Sequence, residues 1–151
     1  MPLSPTKTGS VQSAMATPTP DIPSEPAAAL ATLRETKRVN TAANAAARGE
    51  ELLAGLRALK ERYELVGDVR GKGLMCAIEL VSDREKKTAA AKDTVAAVYE
   101  GAYEAGVMIR TSGSNLILSP PLVVTAADVE RILGALGVGC KRQAEPRPTV
   151  N

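Results

Sequence analysis

The sequence lacks histidine, phenylalanine and tryptophan, and its 151 residues include only three tyrosines. Histidine is the commonest metal ligand and the usual general base, so its absence argues against a metal site. Without large aromatic side chains, a folded core must be built from alanine, leucine, valine, isoleucine and methionine. The hydrophobic content of 44% is nevertheless ordinary for a globular protein.

The chain also lacks a strong net charge and a long apolar run. Its 19 basic and 17 acidic side chains are interspersed and give a formal charge of +2, which is too weak a field to attract nucleic acid. No apolar run reaches the ~18 residues of a membrane span, and there is no signal-peptide stretch. Cys76 and Cys140 are expected to be reduced thiols. A cytoplasmic protein is therefore expected, with neither nucleic acid nor a membrane as partner.

Composition divides the chain into three parts. Residues 1–25 are rich in proline, serine and threonine, which predicts a disordered leader. The alternative is a transit or regulatory segment, but the leader has only one basic residue, Lys7, and no amphipathic period. Residues 26–140 are predicted to form a single folded domain, and residues 141–151 a flexible tail.

Helix formers dominate residues 26–63, with apolar side chains three and four positions apart. Pro26 suits a first helical turn, and Asn40 and Thr41 are where the region would break into two helices. The apolar stripe of the second helix consists of Leu52, Leu53, Leu56 and Leu59.

A sheet is predicted to follow, because Leu74–Val81 is an apolar run of the length of a buried strand. Gly67, Gly71 and Gly73 punctuate the two short apolar runs of this region and would serve turns or a bulge. Since these glycines lead into a strand and not into a helix, they are not interpreted as a phosphate-binding loop.

The rest of the domain predicts a charged linker, a helix, a hairpin and a final helix. Their ranges, in order, are 84–93, 94–105, 107–119 and 125–136. Thr125 and Asp128 have the spacing of a capping box at the start of the final helix, and Gly137 and Gly139 are expected to end it. The fold class that follows is α/β (α+β), a small open sheet of three or four strands with packed helices. Mixed strand directions are expected, because a helix connects the strand at 74–81 to an antiparallel hairpin.

No nucleophile with a base, carboxylate pair or metal cluster occurs at a credible spacing. The alternation around Glu79 favours a solvent-facing or end-of-strand carboxylate over a buried acid. Arg110 ends the predicted strand Val107–Ile109 and precedes a turn at Gly113, and a guanidinium there could bind a carboxylate through two parallel hydrogen bonds. From the residues alone, a surface ion pair is the favoured interpretation of Arg110, with a ligand-binding role as the alternative.

The spacing around Arg110 also carries a resemblance to a known family. A glycine, Gly113, follows the arginine by three residues, and Pro120 and Pro121 follow it by ten and eleven. This pattern resembles the last quarter of class III pyridoxal-phosphate aminotransferases, and the resemblance covers about residues 27–140. Three ordered blocks carry it: AAALATLR, VGDVRGKGLMCAIELV and GVMIRTSGSNLILSPPLVVTAADVERIL.

The resemblance implies the C-terminal small domain of a fold-type I aminotransferase. In the ω-amino acid:pyruvate members of the family, the arginine at this place binds the α-carboxylate of the amino or keto acid and swings away for substrates without one. Arg110 inherits this substrate-binding role by resemblance. The strand Leu116–Ser119 is more similar to these members than to the acetylornithine-type branch. The implied partner, in a complete enzyme, is an amino acid or amine together with a keto acid such as pyruvate.

The cofactor chemistry of the family lies outside the matched region. Transamination needs a lysine that holds pyridoxal phosphate and an acidic partner for the pyridine nitrogen, and the family places both upstream in the large domain. Lys72, between two glycines, is interpreted as an exposed turn residue, and no other lysine stands in the family's lysine motif. The chain is therefore expected to bind no cofactor by itself, to contribute no catalytic residue and to be inactive alone, as a fragment, a relic or the product of a mis-started frame. The alternative is a non-catalytic domain that binds a protein or self-associates.

Overall fold

A computed structural model describes residues 25–144 of the chain. By its internal contacts the chain divides into residues 1–35 and residues 36–151. The described part of the first unit lies within helix α1, Glu25–Arg38. The leader predicted at 1–25, apart from its last residue, lies outside the described residues, as do residues 145–151 of the predicted tail.

The described part of the second unit consists of helices and antiparallel strands. Its elements, in chain order, are α2 Thr41–Arg62, β1 Val66–Lys72, β2 Met75–Asp83, β3 Thr88–Ala89, α3 Lys92–Glu104, β4 Arg110–Ser112, β5 Asn115–Leu118 and α4 Ala126–Ala144. The strands form one sheet in the order β1-β2-β5-β4, and the short β3 pairs with β2. The predicted α/β (α+β) class, an open sheet with packed helices, is confirmed.

The sheet differs from the prediction in strand number and direction. It has five strands, not three or four, and every pairing is antiparallel, not mixed. The direction differs because β5, the second strand of the hairpin, lies next to β2, whereas β4 lies at the edge. The additional strand is β3, which lies within the predicted linker 84–93 and is too short, at two residues, to show a strand pattern.

The predicted break between α1 and α2 is confirmed at Asn40. This residue has φ 49° and ψ 53°, a left-handed conformation that asparagine adopts more readily than most residues. Thr41 is buried and begins α2. Leu52, Leu53 and Leu56 of the predicted apolar stripe are also buried.

One face of the sheet packs against α2, α3 and α4 and contains the core. Successive side chains of a strand point to opposite faces, and alternate residues of β2 and β5 are the buried ones. These sheet residues are Cys76, Ile78, Leu80, Leu116 and Leu118. Among the described residues the fully buried side chains are aliphatic or cysteine, as the composition predicts, and Tyr63 and Tyr99 pack against the core only partly buried.

The predicted capping box forms at the start of α4. The Asp128 backbone N–H donates to Thr125 Oγ1 at 3.2 Å, and the Thr125 backbone N–H donates to Asp128 Oδ2 at 3.1 Å. The Thr125 hydroxyl also donates to Asp128 Oδ2 at 2.6 Å. These hydrogen bonds from Thr125 hold the pKa of Asp128 below its usual value.

The end of α4 is not where the sequence predicts it. The helix continues through Gly137 and Gly139 to Ala144. Gly139 lies where α4 crosses α3, and a Cβ atom there would come within 2.3 Å of the Val98 carbonyl oxygen. A Cβ at Gly101 would in turn lie 2.7 Å from the Gly139 Cα. The glycine at 139 therefore permits close helix packing and does not terminate the helix.

The first strand of the hairpin is displaced by three residues from the prediction. β4 is Arg110–Ser112, so Arg110 begins the strand and does not end one at Val107–Ile109. Residues 107–109, which precede β4, form no strand. Instead, the Val107 N–H donates to the Ala102 carbonyl at 3.0 Å just after α3 ends. Gly106, at φ 88°, makes this tight exit from the helix possible.

Two predictions made from composition can be compared with the structure: the state of the cysteines and the membrane-spanning segments. Cys76 and Cys140 are buried, and neither forms a disulfide, in line with the prediction of free thiols. Burial raises the pKa of Cys140 to about 11, so this thiol is protonated at neutral pH. None of the helices described in residues 25–144 has the length and apolar character needed to cross a membrane.

Candidate functional site

The face of the sheet opposite the helices carries the candidate site, and we call it the open face. The strand register aligns its side chains in two neighbouring rows that run across β1, β2, β5 and β4. The first row consists of Arg70, Ala77, Ile117 and Arg110. The second row consists of Asp68, Glu79, Asn115 and Ser112. The open face therefore places an arginine at each end of one row.

Arg110 is the predicted ligand-binding residue and lies at the sheet edge. It is exposed, begins β4 and is paired through its backbone with Ile117 of β5. Within residues 25–144 its side chain has no hydrogen-bond or ion-pair partner, so the surface ion pair favoured from the residues alone is not formed in this part of the chain. A guanidinium in this state presents its full set of donors to an anion from solution.

Arg70, at the other end of the row, has three partners. Its Nη1 lies 3.1 Å from Asp68 Oδ2 and 3.4 Å from Glu79 Oε2, and its Nη2 donates to Asn115 Oδ1 at 2.5 Å. Glu79 is thus a solvent-facing carboxylate, as the alternation around it predicts. The role of Arg70 is not apparent from the sequence, because its partners come from three different strands.

The turn between β4 and β5 fixes the position of Arg110 in the sheet. Gly113 has φ 59°, a left-handed conformation that glycine adopts without strain, at the position where the sequence predicts a turn. The Leu80 N–H of β2 donates to the Ser114 carbonyl at 2.8 Å, and Asn115 Nδ2 donates to the Ser112 carbonyl at 3.1 Å. The turn is therefore held by both the backbone of β2 and the side chain of Asn115.

A groove of about 530 Å³ begins beside Arg110. Its walls include Ile109 and Ile117, which are respectively the chain neighbour and the strand partner of Arg110, together with Pro120 and Pro121. The structure thus brings Arg110 and the predicted Pro-Pro pair to the same end of the sheet, whereas Gly113 lies at the far end of the hairpin.

Asn44 of α2 holds the loop that contains the Pro-Pro pair. Its Nδ2 donates to the carbonyl oxygens of Leu122 at 2.8 Å and Val124 at 3.0 Å. This contact is not apparent from the sequence, because the helical pattern around Asn44 gives no sign that its amide reaches a loop 78 to 80 positions away.

The described residues do not fit the cofactor that the resemblance implies. A lysine that attaches such a cofactor is made reactive by desolvation or a neighbouring charge, and none of the lysines in residues 25–144 is buried. Lys72, at the end of β1, is exposed as predicted. The same part of the chain holds no cluster of three or more histidine, cysteine, aspartate or glutamate residues that could bind a metal ion.

A family model described as aminotransferase class-III matches residues 21–138 of the chain. Taurine–pyruvate aminotransferase of Rhodobacter capsulatus is 40% identical over an alignment of 126 positions, which covers 79% of this chain and 28% of that protein. Hypotaurine/taurine–pyruvate aminotransferase of Paracoccus denitrificans is 38% identical over an alignment of 120 positions, which covers 75% of this chain and 26% of that protein. The chain thus spans about a quarter of the length of these curated relatives.

Solved structures give the same result. The structure of an amine transaminase from an uncultivated Pseudomonas species superimposes with a TM-score of 0.74 at 40% sequence identity. The superposition covers 77% of this chain and 27% of that one. The matched part of this chain therefore has a counterpart within a chain more than three times as long as that part.

Proposed function

Because this chain belongs to the class III aminotransferases, we propose that it supplies the part of such an enzyme that binds the acid group of the substrate, and that Arg110 is the residue that binds it. The names of its relatives suggest the substrates: pyruvate carries a carboxylate and taurine a sulfonate. Both are anions with oxygen acceptors that match the planar donor fork of a guanidinium.

The unpartnered state of Arg110 is the observation that supports this proposal. An arginine already committed to a carboxylate would have to release it before binding a substrate, and Arg110 has no such partner within residues 25–144. Its guanidinium remains charged at every working pH, so anion binding would not depend on the protonation state of the arginine. Bound in this way, an acid group would be held at the sheet edge while the rest of the substrate extends away from it.

Amino transfer requires a lysine that attaches the cofactor and a pocket that holds it. Residues 25–144 contain no buried lysine and form no such pocket. We therefore propose that the chain is inactive without the remainder of an aminotransferase. The test is to incubate the full chain with pyridoxal phosphate, reduce with borohydride and measure its mass. We expect no covalently attached cofactor above the background of an unfolded control. A single lysine modified stoichiometrically in the folded chain would overturn the claim of inactivity.

The role of Arg110 can be tested in a chimera in which residues 26–144 replace the matching part of the Rhodobacter capsulatus relative. Arg110→Gln is expected to lower kcat/KM for taurine and for pyruvate by about 10- to 100-fold, since a hydrogen bond to a charged group contributes about 1.5–3 kcal/mol. The half-reaction with an amine donor that has no acid group should be unchanged.

Arg57→Gln is the control, because Arg57 is exposed on α2, a helix that packs against the opposite face of the sheet. Equal losses for acidic and non-acidic donors in the Arg110→Gln chimera would show that Arg110 does not recognise the acid group.

A second candidate function is self-association, and a group of exposed apolar side chains supports it. Met75, Met108, Leu122 and Val123 are between 51% and 79% exposed, and we call this group the apolar end. The pairings of Cys76 with Leu118 and of Arg110 with Ile117 place the start of β2, the end of β5 and the start of β4 at the same end of the sheet. Exposed apolar patches of this kind mark surfaces that other proteins or further copies cover.

A further inference from the structure

The two arginines of the first row differ in their neighbours: Arg70 has two carboxylates beside it, and Arg110 has none within residues 25–144. This difference affects which substrates the open face accepts. We propose that Asp68 and Glu79 restrict the open face to substrates with a single acid group, by occupying Arg70 and leaving Arg110 as the one guanidinium of the row that can bind an anion. The inference rests on the proposed function of Arg110 and adds a preference for substrates with one acid group over substrates with two.

The spacing of the row suits a ligand that would bridge both arginines. Adjacent strands lie about 4.8 Å apart, so the Cα atoms of Arg70 and Arg110, three strand intervals apart, are separated by roughly 14 Å. Only Ala77 and Ile117 lie between them in the row, and neither presents a charge or a hydrogen-bonding side chain. Two long side chains that lean inward over this apolar floor could hold the two ends of a short dicarboxylate.

The charges around Arg70 prevent that bridging. Its Nη1 is within 3.4 Å of both Asp68 and Glu79, and its Nη2 donates to Asn115. A second acid group of a ligand would have to approach a guanidinium that already has two carboxylates beside it and would be repelled by both. Asp68 and Glu79 thus act through Arg70 as positioning residues.

Each contact is modest alone, because the side chains of Arg70, Asp68 and Glu79 are 50%, 49% and 36% exposed. Exposed ion pairs contribute about 1 kcal/mol or less. Three contacts on one guanidinium nevertheless hold it over the second row, out of line with the first row that ends at Arg110. We therefore expect a selectivity of several-fold, which is measurable as a ratio of affinities.

The experiment uses the full chain and two probes, propionate with one carboxylate and glutarate with two. Binding is followed by NMR through the side-chain Nε–H signals of Arg70 and Arg110, at constant ionic strength. For the wild-type chain we expect both probes to shift the Arg110 signal, and glutarate to bind no more than about twofold more tightly, the statistical factor for two equivalent carboxylates. The Arg70 signal should not move.

The informative variant is Asp68→Asn/Glu79→Gln, which removes the charges and keeps similar side-chain volumes. Glutarate is then expected to bind about fivefold more tightly than in the wild-type chain, to move both arginine signals and to lose this gain when Arg70→Gln is added. Propionate affinity at Arg110 should stay the same. Glu61→Gln/Glu100→Gln, at two exposed helical carboxylates, changes the net charge equally and should leave the glutarate-to-propionate ratio unchanged.

The outcomes separate this inference from the function on which it rests. If neither probe binds the wild-type chain in a manner abolished by Arg110→Gln, the proposed function fails and the specificity inference fails with it. If propionate binds at Arg110 but the Asp68→Asn/Glu79→Gln variant gains nothing for glutarate, only the specificity inference is overturned. A wild-type chain that already binds glutarate through Arg70 would overturn it as well.

Discussion

Three arginines on this small domain serve different purposes, and their neighbours decide which. Arg70 is balanced by carboxylates, and Arg110 has no partner within residues 25–144. Arg84 bonds to backbone: its Nη2 lies 2.6, 3.0 and 2.9 Å from the carbonyl oxygens of Lys60, Tyr63 and Val66. Arg84 therefore joins the last turn of α2 to the start of β1, where helix carbonyls have no intrahelical partner.

The contact made by Arg84 predicts a stability effect. Arg84→Met should lower the free energy of unfolding by about 1.5–3 kcal/mol, because three carbonyl oxygens lose a charged donor and the residue is only 31% exposed. Arg84→Lys should recover only part of this loss, since an ammonium cannot match the planar donor arrangement.

Urea unfolding followed by circular dichroism measures the effect, with Arg57→Met as the matched control on α2. If Arg84→Met and Arg57→Met unfold at the same urea concentration, the carbonyl contacts of Arg84 contribute no stability.

At the residue scale, the sequence predicts roles that depend on local spacing. The capping pair Thr125 and Asp128, the turn at Gly113 and the break at Asn40 each depend on a few consecutive residues, and all three are confirmed. The partners of Arg70 and Arg84 depend on which strands are neighbours, and no local pattern contains that information.

At the scale of elements, α3 and α4 show why a glycine in a helix is ambiguous in sequence. Glycine commonly follows the last turn of a helix, which is the basis for the prediction that Gly137 and Gly139 end α4. Glycine also allows two helix backbones to approach closely, and Gly139 does this against α3. The two roles are distinguished only by what lies opposite the glycine, so the end of α4 could not be predicted from the sequence.

Two glycine-to-alanine substitutions on α4 should have opposite effects on stability. Gly139→Ala is expected to destabilise the fold by about 1–3 kcal/mol, because the new methyl would lie 2.3 Å from the Val98 carbonyl oxygen. Gly134→Ala should stabilise it by roughly 0.5–1 kcal/mol, since no atom lies within 4 Å of a Cβ there and alanine favours the helix.

Both variants can be compared by thermal unfolding under the same conditions. A Gly139→Ala chain as stable as wild type would mean that the two helices can separate at little cost, contrary to the packing described.

At the scale of the whole fold of residues 36–144, helices α2, α3 and α4 cover one face of the sheet and leave the open face and the apolar end accessible to solvent. The class of fold follows from composition and periodicity, because aliphatic helices with a glycine-punctuated strand region have few compact arrangements. The strand order does not follow, because the placement of β5 beside β2 joins segments that are far apart in sequence and separated by α3.

The apolar end predicts concentration-dependent association. Met108→Glu/Val123→Glu is expected to raise the dissociation constant of self-association by at least about tenfold, because a carboxylate buried in an apolar contact costs well over 1.4 kcal/mol. Val138→Glu, at a 51%-exposed position of α4, is the control and should leave association unchanged.

Light scattering across a range of protein concentrations measures the association. A wild-type chain that stays monomeric throughout, or a double variant that associates as strongly as wild type, would contradict the self-association proposal.

The edge position of β4 has a consequence for the motion of Arg110. This strand has three residues, all exposed, and only one of its sides is hydrogen-bonded to the sheet, whereas β2 and β5 lie inside it. Local opening has its lowest free energy where buried contacts are few, so β4 is expected to open more readily than β2 and β5. The arginine proposed to bind substrate is therefore carried by a weakly protected edge strand, next to a core that is expected to stay closed when that strand opens.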